Sequence, residues 1–94
     1  FEDFNKCIKI NPLFERAFLK RGDLRQLHLK NYKGALEDYM KCLEINPQNY
    51  ECYNNRGILK ENHFKDYKVV FDDYTKAIEK NPYYHIAYKN RAFL

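Results

Sequence analysis

At 94 residues, 45% of them apolar and 32% charged, the chain has the balance of one small globular domain and not of a disordered segment. Its net charge of +4 comes from interspersed Lys, Arg, Asp and Glu, the pattern of solvated helix faces and not of a dense nucleic-acid-binding cluster. No apolar run approaches the roughly 20 residues that span a bilayer. Three cysteines, an odd number without framework spacing, point to reduced thiols in an intracellular, cytoplasmic setting.

The first predicted helix, near 1–10, ends at Asn11-Pro12. The same pair recurs at Asn46-Pro47 and Asn81-Pro82, a constant step of 35 residues. The eleven residues that end at each Pro are alike: EDFNKCIKINP, EDYMKCLEINP and DDYTKAIEKNP. The second helix, near 14–28, carries Ala17, Phe18, Arg21 and Gly22. These return as Cys52, Tyr53, Arg56 and Gly57 in a fourth helix near 49–63, and as Ala87, Tyr88, Arg91 and Ala92 in a sixth near 84–94. The third and fifth helices, near 32–45 and 67–80, follow Asn31 and Asp66, whose side-chain oxygens are expected N-caps. Proline disfavours a helical residue before it, so each helix ahead of an Asn-Pro stops there. Short connections make neighbours antiparallel.

These residues resemble the tetratricopeptide-repeat family, whose unit of about 34 residues is a helix pair, A then B. Phe18, Tyr53 and Tyr88 stand at the large position of helix A, and Gly22, Gly57 and Ala92 at its small position. Ala35, Cys42, Val70 and Ala77 stand at the small positions of helix B, and Tyr39 and Tyr74 at its large one. The resemblance implies an all-α antiparallel helix-pair solenoid with a right-handed superhelix. Helix B of one repeat would occupy 1–12, whole repeats 13–47 and 48–82, and helix A of a further repeat 83–94. The chain is thus expected to be a piece of a longer array, with two whole and two half repeats. The period of 35 lengthens the A–B turn by one residue. Arg21, Arg56 and Arg91 replace a residue that is commonly Leu, and Arg25 and Lys60 another apolar residue.

The cysteines fall at small positions of the repeat and read as core residues. His28 and His63 read as turn-facing, with no further ligands to make a metal site. There is no serine for a Ser triad, and Gly22, Gly34 and Gly57 are too dispersed for a phosphate loop. No catalysis, cofactor or metal is expected.

In the family, helix A lines the concave face and often holds an extended peptide. Here that face would comprise Arg16, Leu19, Lys20, Asp23 and Leu27, then Glu51, Asn54, Asn55, Ile58 and Asn62, then Ile86, Lys89, Asn90 and Phe93. Asn55 and Asn90 hold equivalent sites, and an Asn amide both donates to and accepts from a peptide backbone. The family's clamp for a chaperone C-terminal carboxylate fits poorly: of its five positions only Asn55 matches, and Asp23 would repel a carboxylate. The resulting reading is a non-catalytic protein-interaction scaffold for a peptide or partner protein. The alternatives are an RNA-binding helical repeat of the pentatricopeptide kind, and self-association through the apolar ends marked by Phe1, Phe4 and Ile8 at one side and Ile86, Phe93 and Leu94 at the other. Arg21 with Asp38 and Arg56 with Asp73 are expected as ion pairs within repeats, with Arg91 freer.

Overall fold

A computed structural model describes residues 2–94. Six helices lie in this range: α1 (Glu2–Ile10), α2 (Glu15–Leu27), α3 (Tyr32–Ile45), α4 (Tyr50–His63), α5 (Tyr67–Lys80) and α6 (His85–Ala92). The described residues contain no strand, and the fold is all-α.

Local chemistry explains where the helices stop. Asn46 and Asn81 are extended, at ψ 91° and 93°, as a residue before proline must be. Their N–H groups still donate to Cys42 and Ala77 at 2.9 and 3.0 Å. The turn that follows is closed twice. Asn11 Oδ1 accepts from the N–H of Leu13 at 3.3 Å, and Asn81 Oδ1 from that of Tyr83 at 3.1 Å. The Asn11 and Asn81 carbonyls accept from Phe14 and Tyr84, each at 3.1 Å.

Asn31 caps α3, its Oδ1 accepting from Gly34 N–H at 3.0 Å. Asp66 holds the same position before α5 but makes no side-chain cap bond, contrary to expectation; its backbone carbonyl accepts from Val70 at 3.0 Å. A cap that sequence inspection missed is Asn49, which accepts from Cys52 N–H at 3.0 Å. The lengthened A–B turns place Lys30 and Lys65 in the left-handed region, at φ 52° and 53°. There Leu29 N–H reaches back to the Leu24 carbonyl and Lys65 N–H to that of Lys60, each five residues earlier.

The chain divides into two compact units, the first ending at Pro47 and the second running Gln48–Leu94. In the first, α2 packs against α3 and, less extensively, against α1; in the second, α5 packs against both α4 and α6. The first core gathers Ala17, Phe18 and Leu19 with Ala35, Tyr39, Cys42 and Leu43. The second gathers Cys52, Tyr53 and Leu59 with Val70, Tyr74, Ala77 and Ala87. Gly22 and Gly57 permit this approach: a Cβ there would lie 2.8 and 2.6 Å from ring carbons of Tyr39 and Tyr74.

Cys7 departs from the expected core placement. Cys42 and Cys52 are sealed, whereas Cys7 is half-exposed, because among the described residues no A-type helix of its own repeat covers α1. Phe4 and Ile8 are half-buried, not open, and Phe1 lies outside the described residues. The exposed apolar residue of α1 is Ile10.

Candidate functional site

Each unit has a buried aspartate at the centre of a polar cluster. Arg21 Nε donates to Asp38 Oδ2 at 3.0 Å and its Nη2 to Oδ1 at 2.7 Å, a two-pronged grip that matches the planar fork to the carboxylate. In the second unit Arg56 repeats it on Asp73, at 3.1 and 2.7 Å. The residue types follow from burial: Asp38 and Asp73 are each 2% exposed, and a carboxylate so deep needs a partner. Each Arg also lies over the aromatic three residues before it, Phe18 at 5.6 Å and Tyr53 at 5.8 Å from the ring centres.

The structure adds a second cation to each cluster. Arg25 Nη1 donates to Asp38 Oδ2 at 2.9 Å, and Lys60 Nζ lies 3.9 Å from Asp73 Oδ2. These are the two residues noted only as departures from the family pattern. Their spacing, four after Arg21 and Arg56 on one helix face, was the available signal. Burial pushes Arg56 down, but the hydrogen bond and charge of Asp73 outweigh it and its pKa is raised. Lys60 is lowered, by burial first, with the Asp73 charge opposing and that of Arg56 adding.

Arg21 extends further, donating from Nη1 to Asn5 Oδ1 of α1 at 2.9 Å. Arg91 does the same to Thr75 Oγ1 at 3.3 Å, and lies over Phe71 and Tyr88 at 5.6 and 5.8 Å. It is therefore held more than expected, although by no carboxylate among the described residues.

Tyrosine hydroxyls form the next layer. Tyr39 donates to Asp23 Oδ1 at 2.7 Å, and Tyr74 to Glu61 Oε1 at 2.7 Å. Burial, and then the bond to Glu61, raise the pKa of Tyr74.

The residues assigned to the helix-A face divide by exposure. Arg16 and Lys89 are exposed, and Lys20, Asp23, Glu51, Asn55, Ile58 and Asn90 are partly so. Leu19 and Asn54 are corrections: at 0% and 1% exposed they present no surface to a ligand. Leu19 is apolar and joins the core. Asn54 is a buried support whose Oδ1 accepts from Asn90 Nδ2 at 2.9 Å and whose Nδ2 donates to Asn55 Oδ1 at 3.4 Å. The second unit thus fixes two partly exposed amides through one buried amide.

Two family models, each described as tetratricopeptide repeat, match residues 15–49 and 38–67. Together they span more than half of the chain, which belongs to the tetratricopeptide-repeat family. The solved structure of the Arabidopsis OM64 TPR domain is similar at a TM-score of 0.86 and 23% identity, over 96% of this chain and 73% of that one. That likeness shows the fold, an all-α helical-repeat solenoid. A search of curated proteins gives no match. Tetratricopeptide repeats are in general protein-interaction modules and non-catalytic scaffolds.

Proposed function

We propose that the chain is a non-catalytic scaffold that holds an extended peptide or partner protein on its A-type helices. The observation that carries this reading is the amide set of the second unit. Asn55 and Asn90 stand at equivalent repeat positions on α4 and α6, and buried Asn54 orients both. Asn90 spends one N–H on Asn54, which leaves its second N–H and its Oδ1 for a peptide backbone. Glu51, Ile58 and Lys89 supply side-chain contacts around it. In the first unit Arg16, Lys20 and Asp23 would give a more charged surface, and Asp23 there disfavours a C-terminal carboxylate. Three cysteines outside any disulfide suit a reducing, intracellular setting.

Titration with an extended-peptide library, followed by tryptophan-tagged or NMR-detected binding, tests the reading. Asn55→Ala and Asn90→Ala are each expected to weaken the selected peptide by about fivefold to tenfold, the size of one lost hydrogen bond of about 1–1.5 kcal/mol. The melting temperature should hold. Failure to select any peptide, or preferential binding of single-stranded RNA with a steep salt dependence, would overturn it.

A further inference from the structure

One position of the A-type helices holds different chemistry in the two units. In the first it is Leu19, at 0% exposure, and one repeat later it is Asn54, at 1%. Leucine fills its site by apolar contact. An amide sealed from water is stabilised only through the hydrogen bonds it makes. Asn54 accepts from Asn90 Nδ2 at 2.9 Å and donates to Asn55 Oδ1 at 3.4 Å, the second a long bond and so a weak one. Packing alone therefore favours leucine at this position, and what the amide contributes lies in the two side chains it touches.

Those two are turned in opposite senses. Asn90 points its nitrogen at Asn54, so the other branch of its planar amide is Oδ1. Asn55 points its oxygen at Asn54, so its other branch is Nδ2, which carries two N–H groups. Both side chains are half-exposed, on α6 and α4 of the same unit. The terminal torsion of asparagine is broad, so without a fixed neighbour each amide could present either branch. We propose that Asn54 is a positioning residue, kept at some loss of stability, that polarises the pair: the second unit takes an extended segment that gives a backbone N–H to Asn90 Oδ1 and a backbone C=O to Asn55 Nδ2. Asn54 acts in this way only if the A-type helices hold a peptide, the reading above, and it adds a rule of selection to that reading. Proline and N-substituted residues have no N–H to give. Over Asn90 they would bury its oxygen without a donor, and they are rejected there. With Leu19 at the equivalent place, the first unit has no buried amide to set such a rule.

The test uses the whole chain and a fluorescein-labelled peptide selected from the extended-peptide library, remade as a series in which each backbone N–H in turn is methylated. Fluorescence anisotropy of the wild type should show one position where methylation weakens binding about tenfold, the effect of one acceptor left unsatisfied. Asn54→Leu should weaken the unmethylated peptide about tenfold, through lost preorganisation, and erase the sensitivity of that position. Its melting temperature should match or exceed that of the wild type. Asn54→Ala, which cannot overpack, should show the same two binding effects. In NMR spectra of the peptide-free protein, the side-chain NH2 groups of Asn55 and Asn90 should become less ordered in both variants. Variants that bind as tightly as the wild type with the same methylation profile overturn the proposal. So does a fall in the melting temperature of Asn54→Leu with both amides still ordered, which would make Asn54 a packing residue. A wild type that binds a library peptide with a flat methylation profile sinks the polarised pair alone, whereas one that binds no library peptide sinks the peptide-holding reading and the pair with it.

Discussion

Asp38 sits where a single carboxylate oxygen, Oδ2, receives both Arg21 and Arg25, and the rest of the side chain has almost no contact with water. Asp38→Ala would remove the carboxylate that the two guanidinium groups share. Breaking a fully buried pair removes about 3–5 kcal/mol. The arginines are 18% and 20% exposed and can turn to water, so the expected loss is nearer 2–3 kcal/mol, read by urea denaturation. At Gly57 two effects oppose. Alanine inside a helix is ordinarily better than glycine by up to about 1 kcal/mol. Here the new methyl would sit 2.6 Å from a Tyr74 ring carbon, in a core that holds the ring at 0% exposure, so overpacking prevails. Gly57→Ala should destabilise by about 1–3 kcal/mol in the same measurement. Tyr74 carries a pH signature. Its pKa is raised in the folded chain, so its contribution is whole below about pH 10, where a free tyrosine begins to ionise. As pH rises past that point the unfolded chain loses the proton first, and stability falls toward the higher folded value. Other tyrosines and lysines titrate there too. The readout is therefore the comparison: the melting temperature of Tyr74→Phe should drop less between pH 10 and 12 than that of the wild type.

The helices differ in how much of their ending is written locally. Asn-Pro can be read directly, because the ring of proline restricts the residue before it whatever lies around, and α3 and α5 stop there. The A–B turn could be located from the period of 35 but not described. Its left-handed residues are Lys30 and Lys65, a type that gives no warning of positive φ. Lysine in that conformation is strained by about 1 kcal/mol relative to glycine, which adopts it freely. Lys65→Gly should raise stability by about 0.5–1 kcal/mol, less what a more flexible unfolded chain takes back. Thermal melting checks the sign. Asp66 shows the limit from the other side: the residue type is right for a cap, but the side chain makes no cap bond, and its rotamer depends on surroundings that a motif does not carry.

At the scale of the molecule the repeat made the fold legible, since three copies of one pattern at one step leave little freedom in the order of elements. The paired charges were legible for the same reason, Arg21 and Arg56 recurring at one offset of 17 residues from Asp38 and Asp73. The face for a partner was legible only in part. Position in the repeat put Leu19 and Asn54 on it, while packing buried both, and burial belongs to the assembled helices and not to the pattern. The second cations, Arg25 and Lys60, were overlooked because they stand where the family has apolar residues, although their place one turn after Arg21 and Arg56 put them within reach of the same aspartates.

The unequal burial of the three thiols gives the chain a built-in chemical reporter. Cys42 and Cys52 are at 0% exposure, while Cys7 lines the open groove on α1. A thiol-specific dye should therefore modify one cysteine per folded chain quickly, and the other two only at the rate at which the helices open. Because Cys7 stands at the repeat position that α2 and α4 seal in the closed pairs, anything seated on α1 should protect it. The labelling of that single thiol, followed by mass spectrometry, should run well ahead of that of the slow pair.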